Sequence, residues 1–392
     1  MKKVIILACL VFISTFTSVA APKHKPGCSV SLLTCTPGHK IYNLFGHTAI
    51  EVQDSSLNVD YVFHYGVFNM YQESFIANFV AGKTDYEIGY KSRRSFTPEY
   101  KKRNSIIYQQ VINISQQQCQ ALIDSLFENY KPQNRIYRYN FILDNCATRP
   151  FNIIKHFAGE QLKFEWEECH LTYRNIIHEF VGTNNWTQFG IDLVIGSCAD
   201  TTITQEATLA FPTYLHQAMK QGKFLNDSSS IVAENHIIVD KSHEDTLPNK
   251  GFWTPTNSLL LVLLLCILWS IFSWYYPNYH WVLPSIYFII IGLTGCIITY
   301  LAYISSHPLV QNNYNLLWAN PLHLIYGLSL IIPYFRKRNT LFSWIMILPI
   351  LLGFILLFLD VQYFDFSIVL MMLITLLLTC PIPSLRNYLH HA

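Results

Sequence analysis

"NFILDNCATRPFNIIKHFAG", residues 140–159, decides how this chain is read. An apolar approach ends at Asp144-Asn145, two side chains suited to capping a helix. Cys146 follows, then a helical stretch that stops at Gly159 with Lys155 and His156 in its last turn. Cys146 stands where the helix is expected to begin; Pro150, which fits best in a first helical turn, offers a second start near Thr148, with Cys146 in the turn just before it. A thiol at a helix start has two readings. It is a buried structural cysteine or half of a disulfide, or it is a nucleophile whose thiolate the free N–H groups favour.

The compartment bears on that choice. The chain has 392 residues, a net charge of +2, 51% hydrophobic residues and only 13% charged ones. Residues 1–20 read as a secretory signal peptide: Lys2 and Lys3, an apolar core from Val4 to Phe16, then Ser18-Val19-Ala20. Cys9 lies too early for a lipoprotein cleavage site. From Asn257 to Phe335 there is no Asp, Glu, Lys or Arg. Five membrane spans are expected: Ser258–Tyr275, Trp281–Ile304, Leu316–Phe335, Leu341–Leu359 and Phe366–Pro383. Arg336-Lys337-Arg338 marks the cytoplasmic side. The expected layout is then an exported domain at 21–227, a linker at 228–257, the spans at 258–383 and a cytoplasmic tail at 384–392.

The exported part has 21 Lys+Arg against 23 Asp+Glu between Ala21 and Thr256, which gives no nucleic-acid footprint. It carries Cys28, Cys35, Cys119, Cys146, Cys169 and Cys198, with no CxxC and no spacing suited to zinc. No metal or cofactor is expected. Strands are expected at Cys28–Thr34, His47–Val52, "DYVFHYGVF" (60–68), "DYEIGY" (85–90) and "SIIYQQVINI" (105–114). Helices are expected at Tyr71–Phe79, from Ser115 to about Tyr130 behind a capping box with Gln118, and around Leu171–Val181 and Ala210–Gln221. Together these give an α+β domain with an antiparallel sheet, followed by an all-α polytopic membrane domain.

His47 and His64 stand on two early strands, beside Gly46 and Gly66, which permit close backbone approach. One imidazole can serve as the base for Cys146 and the other as its orienter. A strand histidine is also a common satisfied polar residue. Arg149 and Arg174 suit a phosphate head group; structural ion pairs with Asp144 or Asp192 suit them equally. His307, Asn315 and Asn320 lie at the outer membrane edge, as path-lining groups or interfacial anchors.

The order of His, a second polar residue, then Asn-Cys before a helix resembles the permuted papain-like enzymes. These include lecithin:retinol acyltransferase and its phospholipase relatives, themselves similar to NlpC/P60 peptidases. More closely, "FGHTAIEV", "VFHYGVFNM", "YRYNFILDNCATR", "TYRNIIHEFV" and "WTQFGIDLVIGSCAD", with the membrane tail, resemble the Lnb-type lipoprotein N-acyltransferases. The resemblance covers roughly Leu33 to Asn226 by motif. It implies Cys146 as nucleophile, His47 as base and His64 in the third position. Pro150 departs from the pattern. The implied partners are a phospholipid acyl donor, a diacylated lipoprotein acceptor and the membrane. The implied location is the inner membrane, multi-pass, with the N-terminal domain in the periplasm. The rival expectations are a cell-wall peptidase of the Cys-His class and a non-catalytic membrane assembly protein.

Overall fold

The computed structural model describes residues 27–38, 40–54, 59–71, 73–159, 162–166, 168–241 and 251–380. The expected signal peptide and cytoplasmic tail lie outside the described residues, as does the end of the fifth expected span.

The N-terminal part is an α+β domain built on one antiparallel sheet. Its strands are β1 (Cys28–Cys35), β2 (His47–Asp54), β3 (Val59–Val67), β4 (Asp85–Ser92), β5 (Ile107–Ile112), β6 (Ile136–Arg138) and, after a small β7–β8 ladder (Leu162–Lys163 with Lys223–Phe224), β9 (Val232–Val239). The order across the sheet is β6-β4-β3-β2-β1-β5-β9. β9 lies in the stretch expected to be linker. Its sequence "VAENHIIV" buries only Val232 and Val239, so an outer strand with one wet face looked like polar connection.

Both faces are covered. One packs on α3 (Gln116–Tyr130) and α4 (Thr148–Ala158), and on α8 (Pro212–Gln221), around Ile50, Val52, Phe63, Phe151 and Leu215. The other packs on α2 (Arg93–Lys102) through Phe96 and Tyr100 against Leu33, Ala49 and Val62. The alternation of β2 therefore sends His47, Ala49 and Glu51 toward α2, and Thr48, Ile50 and Val52 toward α4. Short α1 (Phe75–Val80) begins later than expected, after Ser74 with φ 62°. A second core of α5 (Tyr173–Val181), α6 (Trp186–Val194) and the turn of α7 (Gln205–Thr208) surrounds Ile176, Ile177 and Phe211.

The C-terminal part is helical: α9 (Pro255–Tyr275), α10 (Val282–Tyr303), α11 (Leu322–Ile331), α12 (Pro333–Arg336), α13 (Thr340–Phe358) and α14 (Phe366–Thr379). Among the described residues, three segments are long and apolar enough to cross a membrane: Pro255–Tyr275, Pro277–Tyr303 and Thr340–Phe358. The third expected span is not one helix. Pro321 and Pro333 bound α11, which has 10 residues and so covers about 15 Å, half a hydrocarbon core. α14 has 14 residues and is mostly buried within the bundle.

The two parts interlock. Phe189 and Leu193 of α6 pack into the bundle's cores. Ser305 Oγ donates to the Val80 carbonyl at 2.8 Å, and the Ser306 amide to that of Ala81 at 2.9 Å.

Candidate active site

Cys146 occupies the turn before α4, as the position of Pro150 requires. Asn145 builds that turn. Its Oδ1 accepts from the amides of Ala147 (2.8 Å) and Thr148 (3.0 Å), and its Nδ2 donates to the carbonyls of Phe141 (2.7 Å) and Ala210 (2.9 Å). Thr148 Oγ1 accepts from the Asn145 amide in return. Asp144 does not cap the helix. It holds Arg149 by two bonds of 2.5 and 2.7 Å. The Arg149 guanidinium also lies 3.6 Å from the ring centre of Tyr137. Its fork is turned inward, onto the turn that carries the thiol.

The thiol meets the sheet at the start of β2. The backbone N–H groups of Thr48 and of Cys146 itself favour the thiolate. Gly66 has φ +94°, and a side-chain carbon there would make ordinary contact with Cys146 Cβ at 4.0 Å. Gly46, with φ +79°, brings the chain over the Cys35 carbonyl, which a Cβ would meet at 2.6 Å. Of the two glycines, Gly46 makes the expected close approach.

The two imidazoles share this end of the sheet. Their ring centres are 5.7 Å apart, edge to face. The His47 ring stacks on Tyr100 at 6.3 Å, and His64 packs on Phe96 at 6.2 Å. His47 pairs in register with Cys35, which shares a buried cluster with Tyr100. The thiol turn belongs to the α4 layer, and the imidazoles lie on the α2 layer. Sequence reading missed Tyr100, because α2 reads as "RRSFTPEYKK", a charged stretch with an internal proline.

The resting protonation states follow from dryness. Burial pushes the Cys146 thiol up to about 11, against the two backbone N–H groups that favour its thiolate. Burial pushes His47 down to about 3, with the positive charge of a protonated His64 as the next cause. His64 falls to about 4, through burial and then Lys91. At neutral pH the site thus rests as a neutral thiol and two neutral imidazoles. All six exported cysteines are free thiols, so no disulfide competes for Cys146.

The other expected site residues serve elsewhere. Arg174 is buried, its fork spent on Asp192 (2.6 Å), Asp200 (2.6 and 3.0 Å) and the Gly196 carbonyl. This is the structural ion pair rather than a head-group clamp. His307 Nε2 lies 2.7 Å from the Phe79 carbonyl, holding α1 to the outer loop of the bundle. Asn315 is buried; it donates to the Asp192 carbonyl at 2.9 Å and accepts from Trp318 at 3.0 Å.

Residues 24–179 match the family model described as the Lnb N-terminal periplasmic domain, and residues 248–387 match that of the Lnb transmembrane domain. The chain belongs to the Lnb family. The two matches meet in the expected order and cover most of the sequence. The family's layout puts the thiol-bearing N-terminal domain in the periplasm and the helical part in the membrane. No curated protein and no solved structure matches the chain.

Proposed function

We propose that this Lnb-family chain is a lipoprotein N-acyltransferase. It moves an acyl chain from a membrane phospholipid, through a Cys146 thioester, to the α-amine of a lipoprotein's diacylglyceryl-cysteine. The observation that carries the reading is the cluster at the start of β2. There α4, which follows the Cys146 turn, packs on the strand that begins with His47, and His47 and His64 lie edge to face, in a domain bolted to apolar helices. The order of His-bearing strands before the thiol turn also fits the permuted papain-like arrangement.

Because thiol and imidazole rest neutral, the proton moves during attack. His47 takes it from Cys146 as the sulfur bonds to the ester carbonyl carbon. In this reading the N–H groups of Thr48 and Cys146 serve as donors to the resulting oxyanion. Collapse breaks the ester C–O bond, and the imidazolium returns the proton to the departing lysophospholipid. The acceptor amine then attacks the thioester, His47 takes its proton, and the thiolate leaves and is reprotonated. No outside oxidant or cofactor enters this balance. Arg174 and Asn315 hold the two parts together, and His307 clasps α1 to the bundle. These contacts tie the periplasmic domain to the bundle, and the proposed reaction uses that tie to present the thiol to substrates embedded in the membrane.

The test is an N-terminal lipopeptide readout in a host whose own lipoprotein N-acylation is depleted. Wild type is expected to add one acyl chain to the amine, and Cys146→Ala none. Loss of wall crosslinks with no added chain would instead favour a peptidase. Free fatty acid with no added chain would make the enzyme a phospholipase. An unchanged phenotype in Cys146→Ala would leave a non-catalytic assembly role.

A further inference from the structure

The far end of the helical bundle carries a cavity of about 410 Å³. It lies between the C-terminal ends of α9, α11 and α14 and the N-terminal ends of α10 and α13. The periplasmic domain touches the opposite end, where Thr256 contacts Asn184 and Tyr363 contacts Asp200. The cavity therefore faces the cytoplasmic side, about 30 Å from the thiol domain along α9.

Its polar groups share one chemistry. Trp269 Nε1, Ser273 Oγ and Arg336 Nη1 are buried, line the cavity and have no hydrogen-bond partner among the described residues. Two of these can only donate, and the third is a hydroxyl. Ser270 bonds back to the Cys266 carbonyl at 2.8 Å, whereas Ser273, only 2% exposed, does not bond back. Lys337 adds a second cation, and no Asp or Glu lines the wall. The Arg336 guanidinium is held in place over the Trp281 ring at 4.7 Å. Leu330, Leu377 and Leu378 form an apolar remainder.

Buried donors without acceptors are costly unless a ligand supplies the oxygens. An anion with several acceptor oxygens and an apolar body meets all of them at once. We infer that this cavity is a binding site for the phosphate of an anionic phospholipid from the cytoplasmic leaflet, separate from the thiol site. The bound lipid would tie α9, α10, α11, α13 and α14 together at this end.

The test uses the full-length chain in neutral detergent micelles, titrated with phosphatidylglycerol or with phosphatidylcholine, retained lipid being read by native mass spectrometry. Wild type is expected to hold one phosphatidylglycerol at least about tenfold more tightly than phosphatidylcholine. Arg336→Gln is expected to lose about tenfold, and Ser273→Ala about threefold. Arg338→Gln removes a neighbouring charge that stacks on Tyr334 and does not line the cavity, so it is expected to change retention by less than about twofold. Equal losses in Arg336→Gln and Arg338→Gln would reduce the effect to general charge attraction and overturn the site. So would a lack of preference between the two lipids. Millimolar inorganic phosphate is the third arm. If it alone raises the melting temperature of wild type, and not of Arg336→Gln, while phosphatidylglycerol is not retained, the ligand is a soluble anion and the lipid assignment fails. Should Arg336→Gln not fold, Ser273→Ala and Trp269→Phe carry the same comparison.

Discussion

His47 and His64 pack edge to face, their ring centres 5.7 Å apart, on the strands β2 and β3. α4, which follows the turn that carries Cys146, packs on the same β2. Side chains around this junction hold the turn and the strands in place.

Asn145 is the first such device. It makes four hydrogen bonds, two as acceptor from the turn and two as donor, to the nearby Phe141 carbonyl and the distant Ala210 carbonyl. Asn145→Ala is expected to cost about 2–4 kcal/mol, since buried backbone groups lose their partners. Acyl transfer by the remaining folded protein is expected to fall mainly in kcat, with KM little changed. Thermal melts beside steady-state kinetics check both.

The two imidazoles set the pH dependence. Their folded pKa values, about 3 for His47 and about 4 for His64, lie below the ordinary 6.5. The neutral base is therefore present throughout the range where a free imidazole would be lost. The log of kcat/KM is expected to show no acidic fall near pH 6.5 and to drop only toward pH 4. Stability follows the same sign. Between about pH 4 and 6.5 the unfolded chain takes protons that the folded histidines refuse, so their contribution is full above 6.5 and is lost as pH falls. Lys91→Met removes one cation that lowers both rings. The acidic fall is expected to move to higher pH in that variant, which a pH-rate profile detects.

Arg174 separates structure from substrate binding. Its removal leaves buried Asp192 and half-buried Asp200 without their shared cation. Arg174→Ala is expected to lose about 3–5 kcal/mol of stability. The surviving folded fraction is expected to keep its KM for phospholipid, whereas a head-group clamp would raise it.

Much of this arrangement was legible in the sequence. The five long strands with clear alternation, the capping box at Ser115 and the stop at Gly159 all formed where the pattern put them. Of the two starts open for the helix after Asn145, the later one, near Thr148, formed, and Cys146 lies in the turn before it. The failures share a cause. α2 and β9 expose so much polar surface that their few buried residues, Phe96 and Tyr100 or Val232 and Val239, gave no period. The third expected span read as continuous because hydropathy counts proline-bounded pieces as one segment. The contacts of Arg174 and Asn315 join residues far apart in the chain, and no local pattern reports them.

The docking of α1 gives a fourth expectation. Gly82, with φ +68°, lies so close to the outer loop that a Cβ would stand 2.8 Å from the His307 amide. Gly82→Val is expected to push α1 off that loop. Hydrolysis of a soluble thioester by Cys146 is expected to stay within about twofold, because the thiol turn is untouched. Transfer between embedded substrates is expected to fall about tenfold, because their positioning depends on the contact. Parallel assays with the two substrates make the distinction.

The central claim is a covalent acyl group on one sulfur. The direct measurement is the intact mass of the full-length protein after incubation with phospholipid and no acceptor. The account predicts a mass increase of one acyl chain, located on the Cys146 peptide, released by hydroxylamine and absent from Cys146→Ala. A folded protein that transfers acyl chains with no such adduct, or with the adduct on another residue, would contradict it.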